Sequence, residues 1–335
     1  MSSIMQRKLR ILGTGKYLPG RQVTSEELDE RLGKPAGWVL KKSGVKVRHY
    51  TEGETVSQMG ARAAEEALKA AGLTFADLDC IVCTNSVPEQ PIPCTAALIQ
   101  NEMGYGDSGT PCFDVNSTCL SFLAGLDLIS YTMAMGKYRQ VLLVAPEIAS
   151  AGLNYEQSES SILFGDGAAA VVVGMSKDGE TSRILASRME TYGSGYALSE
   201  VRGGGTKLPA ASYEASRAAD YLFDMQGEAL FKKTSKLLPR FMEELFRDAG
   251  VGLSELSIVI PHQGSAMAMR LLQHKLGIPD SKLMNIIGNH GNTIAASLPM
   301  GLHEAIRQSH LERGNLAAII GISAGVSLGG IVFEY

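Results

Sequence analysis

The sequence predicts an α/β protein built from two similar halves, with helices sandwiched between sheets. Two observations predict it. Short apolar runs of strand length alternate with helix-length segments along most of the chain, and such alternation implies right-handed crossovers and largely buried sheets. The order also repeats: strand, helix, strand, helix, strand, strand. In the first half the strand-like runs fall at residues 80–84, 112–115, 140–145 and 168–173; in the second they fall at 257–260, 282–287, 317–322 and 330–333. Helix-length segments lie at 95–102, 120–136, 266–276 and 298–309. We place the halves at residues 1–175 and 176–335.

Individual elements follow from local pattern. After Cys119, residues Leu120, Leu123, Leu126 and Ile129 recur at helical spacing, which predicts a buried helix. Residues 176–226 are irregular, with Arg202-Gly203-Gly204-Gly205-Thr206 and Pro209, and read as an excursion that helps cover a pocket. A helix is expected over 227–246, kinked or split at Pro239.

With 335 residues the chain can bury a large core, and 45% hydrophobic and 20% charged residues are ordinary for a soluble enzyme. A net charge of −4 does not point to nucleic acid. Five irregularly spaced cysteines argue against a disulfide framework. The first ten residues hold no apolar signal region, and no run approaches the roughly 20 residues of a membrane span. A cytoplasmic protein is expected.

Cys112-Phe113-Asp114-Val115 reads as a strand, Asn116-Ser117-Thr118 as a sharp turn, and Cys119 as the start of a helix. A cysteine there meets the positive end of the helix dipole and unpaired N–H groups, which favour thiolate and predict a titration below about 8.5. A buried structural cysteine gives the same pattern, so this feature leaves both readings open. His262 follows a strand-like run, where open α/β sheets place their sites. Asn292 lies between Gly291 and Thr293, in a loop whose backbone can approach a ligand. A lone histidine or glycine loop is ordinarily structural. A cysteine, a histidine and an asparagine at corresponding places in a repeated fold point to acyl transfer through a thioester.

Competing motifs fall away. Cys80 and Cys83 lie three apart on a strand and face opposite sides, and no second pair exists to complete a zinc site, so no metal is expected. Gly13-Thr14-Gly15 is followed by Leu18, which breaks the dinucleotide fingerprint. Neither a P-loop nor a Gly-x-Ser-x-Gly elbow occurs.

The motifs together resemble the thiolase superfamily, and within it the β-ketoacyl-acyl carrier protein synthase III family. The similarity runs nearly end to end. It includes Gly37-Trp38, the stretch from Ser43-Gly44-Val45 to Arg48-His49, and Phe113-Asp114-Val115 to Cys119. It continues through Phe164-Gly165-Asp166-Gly167-Ala168, Met225-Gln226-Gly227, Pro261-His262-Gln263, His290-Gly291-Asn292-Thr293-Ile294-Ala295-Ala296-Ser297 and Ser323-Ala324-Gly325. The resemblance implies a thiolase-like duplicated αβαβα fold with mixed five-stranded sheets. It implies that Cys119 takes the acyl group, that His262 and Asn292 bind the malonyl thioester carbonyl, and that the backbone N–H groups of Cys119 and Ala324 form the oxyanion hole. Trp38, Lys42 and Ser265 match positions that contact coenzyme A or its pantetheine arm, and Ile92 matches one that lines the acyl pocket. No cofactor is implied; coenzyme A or phosphopantetheine thioesters enter as substrates. The implied partners are an acyl-coenzyme A or acyl-carrier donor, malonyl-acyl carrier protein and a second copy of the chain, and the implied pathway is fatty acid biosynthesis.

No cysteine follows Cys119, which argues against thiolysis. The family's usual His-Gln-Ala-Asn-Leu-Arg reads His262-Gln263-Gly264-Ser265-Ala266-Met267 here, so an amide and a basic residue are missing. No basic residue stands near Ser158, where the family carries an arginine over the coenzyme A ring, and a glycine triplet is replaced by Ser323-Ala324-Gly325. These departures point to a specialised member taking a medium or long acyl starter. The alternatives are non-decarboxylative head-to-head condensation of two acyl thioesters, acyl transfer to an alcohol or amine, and a non-catalytic partner subunit.

Overall fold

A computed structural model describes residues 6–335. Residues 1–5, on which part of the N-terminal reading falls, lie outside the described residues. Two five-stranded mixed sheets form the frame. The first runs Arg10–Tyr17, Gly167–Gly174, Gln140–Glu147, Cys80–Cys83 and Cys112–Asp114; the first two pairings are antiparallel and the last two parallel. The second runs Arg7–Lys8, Arg183–Gly195, Gly325–Glu334, Leu316–Ser323 and Ile258–Pro261, and only the last pairing is parallel. The chain crosses from the first sheet to the second between Gly174 and Arg183, while the short strand Arg7–Lys8 lies in the second sheet.

Helices make the layers. Ser121–Ala134 and Ser297–Arg307 lie between the sheets, where Leu123, Leu126, Leu298 and Leu302 join Leu143 and Val171 of one sheet and Ile260, Ile319 and Ile331 of the other. Val56–Ala71 and Thr95–Glu102 cover the outer face of the first sheet. Gly227–Ala249 covers that of the second. The expected layered αβαβα architecture is present. Among the described residues, no helix is long and apolar enough to cross a membrane.

Four local expectations are corrected or extended. The run at 282–287 is not a strand: only Leu283 bridges Val259, a short helix Ile287–His290 follows, and the Ile286 N–H is taken by the Gln263 side chain at 3.0 Å. Gly227–Ala249 continues unbroken through Pro239. Proline cannot donate to the Ser235 carbonyl four residues back, but Lys275 Nζ does so at 2.9 Å, so that acceptor stays satisfied. The excursion contributes the long strand Arg183–Gly195. Gly13-Thr14-Gly15 lies on a strand pressed against a helix: a Cβ at Gly15 would stand 2.1 Å from the Ala63 carbonyl, and one at Gly13 2.4 Å from that of Ala67. These glycines serve close packing, consistent with the broken dinucleotide pattern.

Candidate active site

Cys119 sits in a single 3-10 turn, Thr118–Leu120, that leads into helix Ser121–Ala134. Thr118 has φ 50, a left-handed conformation unusual for a β-branched residue, and Asn116 Oδ1 accepts its N–H at 2.9 Å. The turn brings the thiol near the backbone N–H groups of Ala324 and of Cys119 itself, which favour its charged form. These are the two groups that the family resemblance implies as the oxyanion hole.

The thiol does not behave as expected. Burial, followed by the Glu147 carboxylate, pushes it up to about 12, and the two N–H groups offset only part of this. The helix proper starts at Ser121, so its dipole acts across an intervening turn, and desolvation of the charged form wins. At neutral pH the resting side chain is therefore a thiol.

His262 follows strand Ile258–Pro261, and its N–H donates to the Ile320 carbonyl at 2.8 Å. Burial lowers its imidazole to about 4, so it is neutral at physiological pH. Its Nδ1 lies 2.6 Å from Ser297 Oγ. That oxygen also faces the Gln263 N–H at 3.4 Å, and its own hydrogen is free to point to Nδ1. In the tautomer that matches this arrangement the proton is on Nε2, and His262 can donate through that atom. A Cβ on Gly321 would stand 2.8 Å from Leu120 and 3.1 Å from His262, so one strand brings the cysteine turn and the histidine together.

Asn292 is buried, at 6% exposure. Its N–H donates to the Leu163 carbonyl at 2.8 Å, its carbonyl accepts the Gly165 N–H at 3.1 Å, and its Nδ2 reaches the Gly264 carbonyl at 3.3 Å. Gly291, at φ 69, permits this approach; a Cβ there would lie 2.8 Å from the Leu163 carbonyl. Behind the loop, Lys16 Nζ bonds Glu304 and stands 3.0 Å from His290 Nε2, and burial lowers His290 to about 4. The turn after Asn292, Ile294–Ala296, packs against the Cys119 turn.

Sequence reasoning missed two residues at the site. Glu147, fully buried at the end of strand Gln140–Glu147, accepts the Ser86 N–H at 2.6 Å, and burial raises its carboxyl to about 8 despite further N–H donors that include Ala295. Its one sequence signal is a carboxylate closing an apolar run. The other is Ser297, and the repeated pattern Asn116-x-x-x-x-Ser121 and Asn292-x-x-x-x-Ser297 marks it.

Of the remaining assigned residues, Trp38, Lys42 and Ser265 come from segments that meet: Gly44, which ends the helix holding Trp38 and Lys42, packs so closely on Ala266 that a Cβ there would stand 2.3 Å from the Ala266 Cβ. Trp38 opens the helix Trp38–Ser43, with Lys34 Nζ 5.0 Å and Lys42 Nζ 6.0 Å from its ring centroid. Ser265 caps helix Ala266–Leu276, its Oγ accepting the Ala268 N–H at 3.1 Å. Ile92 is 84% exposed, so its own chain closes no pocket over it. Among the described residues no cluster of metal-ligating side chains occurs.

Residues 113–193 match the family described as 3-oxoacyl-[acyl-carrier-protein (ACP)] synthase III, and residues 246–335 match its C-terminal counterpart. The chain is 34% identical to beta-ketoacyl-[acyl-carrier-protein] synthase III of Aquifex aeolicus over 326 residues, 97% of this chain and 99% of that protein. It is 30% identical to the enzyme of the same description from Neisseria meningitidis serogroup B over 327 residues, 97% of this chain and 99% of that one. The crystal structure of the Aquifex aeolicus 3-oxoacyl-[acyl-carrier-protein] synthase III superposes with a TM-score of 0.88 at 33% identity, covering 99% of this chain and 100% of that one. The priming beta-ketosynthase of the R1128 polyketide pathway gives 0.88 at 26% identity, covering 100% and 98%. Fold, full-length similarity and the meeting of the cysteine turn with the histidine and asparagine loops agree: the chain belongs to the β-ketoacyl-acyl carrier protein synthase III family of the thiolase superfamily, and is an acyl-transferring condensing enzyme.

Proposed function

We propose that the protein condenses an acyl starter, medium or long in chain, with malonyl-acyl carrier protein in two half-reactions, within fatty acid biosynthesis. In the first, Cys119 attacks an acyl thioester; its sulfur gains the acyl group, and its proton leaves with the departing thiol. In the second, loss of carbon dioxide from the malonyl unit leaves an electron pair as an enolate, held by His262 Nε2–H and the Asn292 amide. The enolate carbon attacks the acyl-cysteine, and the sulfur departs and is reprotonated.

The observation that carries this reading is the neutral imidazole of His262, with Ser297 on its Nδ1. A histidine that titrates at about 4 is poorly suited to hold a proton at neutral pH. It is well suited to donate a hydrogen bond to a developing oxyanion. Trp38 flanked by Lys34 and Lys42 supports binding of an aromatic base and its phosphates. The absence of a basic side chain at Met267, which is 65% exposed, and the capping role of Ser265 support an altered donor site.

Dimerisation belongs to the same reading. Cys112–Asp114 is the edge strand of the first sheet, and Phe113, Val87 and Ile92 on and near it are 38%, 57% and 84% exposed. An apolar edge of this kind favours pairing with a second copy. Ile92 would then line a pocket completed by the partner.

Incubation with acyl-coenzyme A thioesters of graded length, read by intact-protein mass and chased with malonyl-carrier, tests the proposal. A gain confined to medium or long chains, absent in Cys119→Ala and discharged by the chase, supports it. A gain that only a second acyl thioester or an alcohol or amine discharges would replace it with head-to-head condensation or simple acyl transfer.

A further inference from the structure

We propose that Ser323 and Thr118 form a hydroxyl clamp that sets the relative position of the two oxyanion N–H donors, making both residues positioning residues for acylation. The proposal rests on the reading of Cys119 as acyl acceptor.

Each clamp residue immediately precedes one donor: Thr118 precedes Cys119, and Ser323 precedes Ala324. The two donors belong to different halves of the chain, so their spacing depends on contacts made across the interface. Ser323 ends strand Leu316–Ser323 and is 3% exposed. Its Oγ bonds the Thr118 hydroxyl and the Ser117 carbonyl, the latter at 3.0 Å. An arrangement in which Thr118 donates to Ser323, and Ser323 to the Ser117 carbonyl, satisfies both hydroxyls. The left-handed backbone at Thr118 is a costly conformation for a β-branched residue, and such strain concentrates at functional sites.

The second half of the molecule shows that the fold does not require this pair. The equivalent turn begins at Ile294, also left-handed at φ 49 and without a hydroxyl. The equivalent strand end is Glu147, the eighth residue of Gln140–Glu147 as Ser323 is of Leu316–Ser323. The hydroxyl pair occurs only in the turn that carries the nucleophile. When the thiol adds to the acyl carbonyl, negative charge develops on the carbonyl oxygen. The adduct then collapses, expelling a thiolate that takes up the proton lost from Cys119. Two donors a fraction of an ångström out of place stabilise that oxygen poorly.

Alkylation of Cys119 by iodoacetamide uses the same sulfur but passes through no oxyanion, which separates the clamp from general effects. Single-turnover acylation, by the acyl-coenzyme A that loads the wild type best, is compared with iodoacetamide alkylation in Ser323→Ala, Thr118→Val, Thr118→Ser and the double variant Ser323→Ala/Thr118→Val. The clamp predicts acylation slowed about tenfold to a hundredfold in Ser323→Ala and Thr118→Val, with alkylation, whose thiolate the same two N–H groups favour but which needs no oxyanion hole, slowed severalfold less. It predicts near-normal acylation in Thr118→Ser, and a double variant little slower than either single one. Wild-type acylation rates in both single variants, or equal slowing of acylation and alkylation, would overturn the clamp. A wild type that no thioester acylates would overturn the underlying reading instead.

Discussion

Residues 116–121 and 292–297 are the same local structure carrying different side chains. Asn116-Ser117-Thr118-Cys119-Leu120-Ser121 and Asn292-Thr293-Ile294-Ala295-Ala296-Ser297 both start with an asparagine whose Oδ1 accepts the N–H two residues on, at 2.9 Å in each case. Both place a left-handed residue third, form a 3-10 turn and run directly into a helix between the sheets. In both, the asparagine amide bonds a carbonyl just past a parallel strand, Ser86 at 2.7 Å in one and Gly264 at 3.3 Å in the other. The halves differ in the position to which we assign chemistry. In the first it is the fourth residue, Cys119, where the second has Ala295. In the second it is the first residue, the buried Asn292, where the first has exposed Asn116. One turn occurs twice, and the division of labour we propose follows from single side chains placed on it.

The comparison predicts separable losses. Cys119→Ala should abolish acylation outright, measured by intact mass, and Ala295→Ser should leave it nearly intact; a comparable loss would mean that the two turns are not independent. Asn292→Ala should lower condensation by about a hundredfold to a thousandfold, the cost of losing an oxyanion donor. Asn116→Ala, which removes the same turn bond and the amide bond to Ser86, should cost only about 1 kcal/mol of stability in denaturant titration.

Two further predictions concern charge. His262 and His290 titrate at about 4, against 6.5 for free histidine. The folded protein therefore binds fewer protons than the unfolded chain in that window, and stability present above pH 6.5 is lost as pH falls toward 4. Thermal melts of His290→Gln should show a shallower acid loss, and an unchanged slope would remove that histidine from the account. Glu147 faces Cys119 from the end of its strand, and its charge raises the thiol. Glu147→Gln should move the pH dependence of iodoacetamide alkylation at Cys119 to lower pH; an upward move would reverse the assigned sign.

Much of this was legible in the sequence. The repeated order of apolar runs carried the two-sheet architecture, and the positions of Cys119, His262 and Asn292 just past those runs marked them as candidates. The strand Arg183–Gly195 was hidden because only Ile184, Leu185 and Ala186 form an apolar run, and the rest alternates with polar residues at the surface. The strand expected at 282–287 failed because Gln263, distant in sequence, takes the Ile286 N–H that a strand would use. The state of Cys119 was not legible, because a helix dipole can be read locally whereas burial and Glu147 arrive through the fold. The roles of Ser297 and Ser323 were not legible for the same reason, since their partners, His262 and Thr118, lie 35 and 205 positions away; the repeated Asn-x-x-x-x-Ser pattern marks the position of Ser297 but not its bond.

The central claim is that the two turns divide the reaction. The most direct test crosses two variants with two half-reactions: acyl uptake from acyl-coenzyme A, and carbon dioxide release from malonyl-carrier, in Cys119→Ala and Asn292→Ala. The account predicts a crossed result. Cys119→Ala should take up no acyl group yet still release carbon dioxide, and Asn292→Ala should take up acyl at close to the wild-type rate yet release almost none. Loss of both half-reactions in Asn292→Ala, or retention of both, would contradict it.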